Sequence, residues 1–402
     1  MTLKDLGSQA TMKQLVFVLF AFGFLLPASS TEPPQQPPDA KPFSHPGLLH
    51  SSEELALIKQ KIDAGEEPWV GRWKQLDSAR HGSLRYQPNA YPEVTRGPYN
   101  VPDIGSSEFC SDAAAAYTHA LQWSLTGNEA HANKSIEILN DWSSTLKKIS
   151  GHDTQLLIGM MGIRFCNAAE LLRHSNAKWL VEDRQRFERM LREIFYTEIK
   201  DFNPSANGNW DAAMIQTMLA MGVYLDDREM FDLGVNHYLR GETNGAIENY
   251  INDFGECQES GRDQAHTQMG LGFLSCACEI AWKQGVDLYG ASNNRLALGH
   301  EYTAQYNLGQ NVRYEPYVSI DGRYNYPEIS DNARGRFSPI YRRVVNHYRD
   351  RMGLELPHSV EAIKNTRRRR RSYSAHMPWE SLIYAAALPH QNNESTSENS
   401  ER

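Results

Sequence analysis

Apolar residues recur every three or four positions through most of this chain, and runs in which they alternate singly are scarce. The spacing predicts helices over Ser111–Leu125, Ala130–Ile149, Thr154–His174 and Lys178–Lys200, with Leu156, Met160, Ile163, Asn167 and Leu171 on one mostly apolar stripe. It predicts further helices over Trp210–Leu225, Arg228–Arg240, Asp263–Lys283 and Leu296–Asn307, and two or three more between Arg336 and Leu388. Ser51 and Glu54 form a capping box ahead of a helix through Ile62. Thr126-Gly127-Asn128 stops one helix and starts the next. Residues 66–106 are rich in Pro, Gly, Tyr and Arg and read as long irregular surface loops, and only Val312–Ile320 reads as a strand. A dozen or so helices in sequential antiparallel pairs predict an all-α fold, a single α/α barrel or toroid. No fixed-period repeat supports a solenoid instead.

The ends of the chain are different. Met12-Lys13, the apolar run Leu15–Leu26 and Pro27-Ala28-Ser29-Ser30 have the form of a secretory signal peptide cut after Ser30, too short to span a bilayer comfortably. The expected organisation is a signal peptide at 1–30, a Pro-rich linker at 31–45, the helical domain at 46–389 and a disordered tail at 390–402. That places the mature protein outside the cell or in a periplasm. The 402 residues carry a formal charge of −8, so a site for a polyanion must be local. Arg367–Arg371, five arginines in a row, reads either as a solvated insertion or as a grip on a polyanion; a nuclear, nucleic-acid-binding role does not fit an exported chain. Five cysteines are too few for a disulfide framework in a domain this large and are expected as buried thiols.

Three stretches carry candidate chemistry. In Gly255–Gly270, Glu259, Arg262 and His266 are spaced three and four apart at a loop-to-helix junction, so an acid, a fixed cation and an imidazole share one face. They could bind and deprotonate an acidic sugar, or they could be a structural network. In Asn203–Trp210, Asn207 and Asn209 could donate amide hydrogen bonds into a central cleft in front of Trp210, or Asn209 could be an N-cap behind an Asn207-Gly208 turn. In Arg295–Tyr306, Arg295, Tyr302 and Tyr306 lie on one side of a helix. His152 is a weaker candidate beside Asp153. No metal motif and no Gly-rich phosphate loop is present, so no metal or cofactor is expected.

The runs NGNWDAA, GVYLDDREMF, GECQESGRDQAHTQMG and HEYTAQYNLG, in that order, resemble the alginate lyase domain superfamily. Among its branches they are most similar to polysaccharide lyase family 38, whose members cleave alginate or glucuronan. The resemblance runs from about His45 to Leu388. It implies an α/α toroid with a cleft across one end and metal-free β-elimination, with Asn or Arg neutralising a carboxylate and His and Tyr carrying protons. It puts Asn207 and Asn209 in the family's Asn-Trp loop, Arg262 and His266 in its Arg-His helix, and Tyr302 in its Glu-Tyr-Thr-Ala segment. A related branch has Asn-Asn-His-x-Tyr-Trp where this chain reads Ala206-Asn207-Gly208-Asn209-Trp210. The missing His shifts the base role to His266 or Tyr302.

The chemistry fits those residue types. The C5 hydrogen of a uronate becomes acidic only when the neighbouring carboxylate is neutralised, a task for Asn207, Asn209 and Arg262. A base then takes the C5 proton and an acid protonates the O4 leaving group. Tyr302 is expected as acid and possible base, and His266 as base or positioning residue. Glu259, Trp210, Arg295, Tyr306 and His152 are expected to contact the acidic polysaccharide. Two other classes stay open: a hydrolase using Asp211 with Glu259 or Asp263 as opposed carboxylates, and a non-catalytic polyuronate-binding protein.

Overall fold

The computed structural model describes residues 41–366 and 375–385. The signal-peptide region, most of the Pro-rich stretch, Arg367–Arg371 and the tail from His390 lie outside the described residues. The chain opens with α1 (Ser52–Asp63), on which the Ser51/Glu54 capping box forms as its sequence requires, and α2 (Trp69–Asp77). A small sheet follows, with β1 (Glu93–Arg96) central between antiparallel β2 (Asp103–Ile104) and parallel β3 (Lys148–Ser150). Between β2 and β3 run α3 (Ser106–Thr126) and α4 (Glu129–Thr145), joined through Gly127. Next come α5 (Thr154–Arg173), α6 (Val181–Met190), a wider π turn over Leu191–Tyr196, and α7 (Thr197–Ile199). The centre of the chain supplies α8 (Gly208–Tyr224), α9 (Arg228–Arg240), α10 (Ile247–Tyr250) and α11 (Gln264–Lys283). It ends with α12 (Ala291–Asn307), the hairpin β4 (Tyr317–Val318) and β5 (Asn325–Tyr326), and α13 (Tyr341–Val344), α14 (Pro357–Asn365) and α15 (Glu380–Ile383).

The fold is all-α in class, with the layered helices of an α/α toroid. Two expectations are corrected locally. Residues 66–106 are not merely surface loops: Trp69, Leu76 and Val94 are buried, and β1 is fixed on both edges. The helix expected to continue to Ile149 ends at Thr145, because Ile149 is drawn into the sheet as the partner of Val94. The packed body also begins before Pro46, since Phe43 stacks edge-on against Phe231 under the Arg228 guanidinium. All five cysteines are unpaired and buried, and among the described residues no helix is long and apolar enough to cross a membrane.

Helices α5, α8 and α11 form the interior. Every residue of α5 except Gln155 and Arg173 is buried, and every residue of α8 except Trp210. The apolar stripe read on α5 is therefore only part of its buried surface, because neighbours cover the helix all round. Gly159 faces Ala213 and Gly162 faces Thr217, so residue numbers rise together along the contact and the two helices run parallel. Thr217 Oγ1 donates to the Gly159 carbonyl (2.8 Å) and accepts from the Ile163 N–H (3.0 Å), and Gln216 Nε2 donates to the same carbonyl (2.9 Å). On the other side, Asn209 meets Met269 near the start of α11. The N-termini of these three helices therefore lie at one end of the bundle. There is no room for a side chain at Gly162: a Cβ would collide with the Thr217 methyl. Gly162→Leu is expected to destabilise the fold by about 1–3 kcal/mol through overpacking, read as a lowered denaturation midpoint. An unchanged midpoint would mean the seam is looser than this.

Candidate active site

The site is built where the loops entering α8 and α11 meet. Asn207, not Asn209, is the N-cap residue of α8, and its side chain makes no capping bond. Its carboxamide oxygen instead accepts from Gln258 Nε2 (2.9 Å) and from the Tyr326 hydroxyl (3.1 Å), leaving the NH2 group without an acceptor among the described residues. Gly208 N–H donates to Gln258 Oε1 (2.8 Å), so one glutamine clamps the loop at two points. The loop is closed from below by Asp211, which accepts from the Asn203 N–H (3.0 Å) and the Gly245 N–H (3.3 Å). Burial raises the Asp211 carboxyl to about 6 despite those donors. A Cβ at position 208 would collide with the Asn244 carbonyl and the Tyr250 ring. Position 208 therefore has no room for a side chain of any size.

Across from this loop, Glu259 is fully buried. Its Oε1 takes Arg262 Nη1 (2.7 Å), and its Oε2 accepts from the Asn209 N–H (3.1 Å) and the Tyr250 hydroxyl (3.1 Å). Arg262 Nη2 lies 3.2 Å from His266 Nε2, and His266 Nδ1 lies 2.6 Å from Asp263 Oδ2. A guanidinium can only donate, so Nε2 accepts and the proton of the neutral ring sits on Nδ1, facing Asp263. Asp263 also caps α11 through the Ala265 and His266 N–H groups, as its short acidic side chain at that position predicts. Burial works against the charges here. The Glu259 pairing nonetheless holds Arg262 above its ordinary pKa, and hydrogen bonds from His266 hold Asp263 below the usual carboxylate range.

The third wall was not foreseen from the sequence. The β4–β5 hairpin lies over the Asn loop, tied down by Arg323 Nη1 to the Ser205 carbonyl (3.1 Å) and by the Ile320 N–H to Asn244 Oδ1 (3.1 Å). It places Tyr326 against Asn207 and over Gly261, where an added Cβ would collide with the Tyr326 side chain. Burial and the Glu259 charge push the Tyr326 phenol up to about 12, with Arg262 pulling the other way. The only signal in the sequence was the density of tyrosines, Tyr314, Tyr317, Tyr324 and Tyr326, the last two sharing a strand face.

The remaining expected residues separate into rim and periphery. His152 stands edge-on to Trp210 with centroids 5.5 Å apart, beside the N-terminus of α5, and its Nδ1 meets Asp153 (2.7 Å). These two form an outer platform next to the Asn loop. Asn209 is fully buried, with its side chain on the Met269 sulfur (3.5 Å), so it supports Glu259 through its backbone and does not reach the cleft. Tyr302 donates to the Arg313 carbonyl (2.6 Å) beside Phe254, and burial followed by the Glu256 charge raises its phenol strongly. None of the contacts among the described residues joins Tyr302 to Arg262 or His266. Tyr306 is held by Asp331 (2.6 Å) under the Arg334 guanidinium, and Arg295 donates to the Ile251 carbonyl (3.1 Å). An open depression of about 420 Å³ lined by Gln87, Glu137, Asp141 and Arg186 shares no residue with this cluster.

The family described as Alginate lyase matches residues 84–312, more than half of the chain. The chain belongs to the alginate lyase family. It is thus a polysaccharide lyase, and the match includes the Asn loop and the Glu259–His266 segment but stops before the hairpin that carries Tyr326. Two solved folds are similar. An alginate lyase from Bacteroides ovatus aligns at 16% identity over 84% of this chain and 98% of its own, with a TM-score of 0.57. Alginate lyase A1-III from Sphingomonas species A1 aligns at 15% identity over 78% of this chain and 92% of its own, also at 0.57. A histidine-to-alanine variant of A1-III complexed with a tetrasaccharide gives 15% identity over 77% and 90%, at 0.56. No curated protein sequence matches significantly.

One buried acid beside the site gives a pH signature. Glu256 accepts from the Glu315 N–H (2.8 Å), yet burial raises its carboxyl from an ordinary 4.5 to about 7. The folded state therefore penalises the ionised form. The stability it contributes is present below about pH 4.5 and falls as pH rises through 7. Glu256→Gln keeps the acceptor and removes the charge, so it is expected to raise the melting temperature more at pH 8 than at pH 5. Equal shifts at both pH values would contradict this.

Proposed function

We propose that this lyase cleaves a 1,4-linked polyuronate, alginate or glucuronan, by metal-independent β-elimination that leaves a 4,5-unsaturated uronate end. The observation that carries the reading is the convergence of Asn207, Arg262, His266 and Tyr326 at the N-termini of three parallel helices. Helix N-termini favour negative charge, so this end of the bundle suits a carboxylated sugar although the chain as a whole is acidic. The signal-peptide pattern at 1–30 goes with a secreted or periplasmic enzyme meeting such a polymer.

In this account the substrate carboxylate takes the free NH2 of Asn207 and draws the Arg262 guanidinium off His266. Two events are thereby coupled: the charge that develops at C5 is neutralised, and the Nε2 lone pair of His266 is uncovered. His266 removes the C5 proton, Asp263 stabilises the imidazolium from the other side, the C4–O4 bond breaks, and the Tyr326 hydroxyl gives its proton to the departing O4. A phenol titrating near 12 is fully protonated at neutral pH, as an acid must be. Trp210 and His152 would hold a neighbouring sugar. The hydrolase alternative loses support, because Asp211, Glu259 and Asp263 are each committed to internal hydrogen bonds.

The direct test is the ultraviolet absorbance of the unsaturated product on polymannuronate, polyguluronate and glucuronan. Tyr326→Phe should lower turnover at least about 10²-fold while the melting temperature changes little, whereas Tyr302→Phe should keep most of the activity. The reverse order would return the proton carrier to Tyr302. Arg262→Lys should impair turnover strongly, because a point charge cannot serve Glu259 and the substrate at once.

Chelation provides a separate check. With Asn207 and Arg262 neutralising the carboxylate, EDTA should leave the initial rate unchanged well below the melting temperature. A loss restored by calcium or zinc would refute the metal-independent step.

A further inference from the structure

At the other end of α5, one helix length or about 25–30 Å from its N-terminus, a second cluster of ligand-type side chains plays no part in the reaction. Glu170 in the last turn of α5 and His174, the residue that caps its C-terminus, are spaced i, i+4 and lie 3.7 Å apart. His45, in the segment leading into the domain, lies against both. Its Nδ1 is 2.7 Å from Glu170 Oε1, its Nε2 is 3.0 Å from Asp226 Oδ1, and its ring stacks on that of His174 at 4.0 Å. One ligand atom from each of His45, Glu170 and His174 falls within 4.8 Å of the others.

The second oxygen of Glu170 points to what is missing. Glu170 is 1% exposed, and its buried Oε2 has no hydrogen-bond partner among the described residues; neither has the buried Nε2 of His174, 3.7 Å away. That separation is too long for a hydrogen bond, and a buried carboxylate oxygen left alone is costly. Two ligand atoms on one tetrahedral zinc ion stand about 3.4 Å apart, given bonds of about 2.1 Å, so a small inward shift would seat an ion between them. Two imidazoles with one carboxylate is a donor set suited to a borderline divalent cation.

We propose that His45, Glu170 and His174 form a structural site for a zinc-class divalent cation, with Asp226 or water completing the shell. The ion would rivet the incoming segment to the helix bundle, adding to the contacts that Gly47 N–H makes with Glu170 (3.0 Å), Leu49 N–H with Asn167 (3.2 Å) and Arg228 with the Lys41 carbonyl (2.8 Å). It would stand far from Arg262 and His266, so it is compatible with elimination chemistry that needs no metal.

The test uses the full chain, stripped with chelator, dialysed and titrated with zinc by calorimetry alongside thermal melting. One equivalent should bind and raise the melting temperature in proportion to the logarithm of free zinc. His174 is partly exposed, so His174→Ala should fold normally, yet it should bind zinc at least about 10–100-fold more weakly, since changes merely outside a ligand shell already cost that much. Glu170→Gln should act in the same direction. No stoichiometric binding by the wild type, or equal affinity in His174→Ala, overturns the proposal.

Discussion

A single buried carboxylate holds the active end of this molecule together. Glu259 is fully enclosed, and a charge in that position is tolerable only when it is paired and hydrogen-bonded. It is used by three elements at once: the start of α8 through the Asn209 N–H, the end of α10 through the Tyr250 hydroxyl, and the turn before α11 through Arg262. Remove the charge and the Arg262 guanidinium loses its anchor and the two loops lose their common point. The orientation of His266 follows from this, because Arg262 reaches it only while Glu259 holds the other half of the fork. Asp263 fixes the far side of the ring.

The fold supplies the setting for that charge. Small residues along α5 and α8 let the two helices run parallel in close contact, and α11 joins on the far side, so that three helix N-termini gather at one end. Backbone N–H groups of three helix starts are thereby offered to one place in a chain that is acidic overall. The same parallel arrangement puts the ends of α5 and α8 at the opposite pole, where Glu170, His174 and Asp226 face His45. Chemistry and anchorage are separated by the length of a helix.

Much of the helical scaffold was legible because its signals are local. The capping box at Ser51, the stop at Gly127 and the Arg228–Arg240 helix all follow from short-range rules and stand where the spacing put them. The grouping of Glu259, Arg262 and His266 was legible for the same reason, since three- and four-residue spacing at a helix start brings side chains together. What could not be read was long-range. Whether Tyr302 or Tyr326 meets Asn207 depends on a hairpin folding back over a loop more than a hundred residues earlier, and nothing near Tyr326 announces that. Asn209 looked like a cleft donor beside Asn207, yet two residues' step into the helix turns it inward to Met269. Ile149 left its helix for the same kind of reason, a distant partner in β1.

The account turns on one exchange of partners: Arg262 leaves His266 when a uronate carboxylate arrives. A crystal structure of the Tyr326→Phe protein with a bound uronate tetrasaccharide would observe it directly. The account predicts Arg262 and the Asn207 amide hydrogen-bonded to the carboxylate of one sugar, with His266 Nε2 released and directed at C5 of that sugar. A sugar whose carboxylate is met elsewhere, with Arg262 still seated on His266 Nε2, would contradict it.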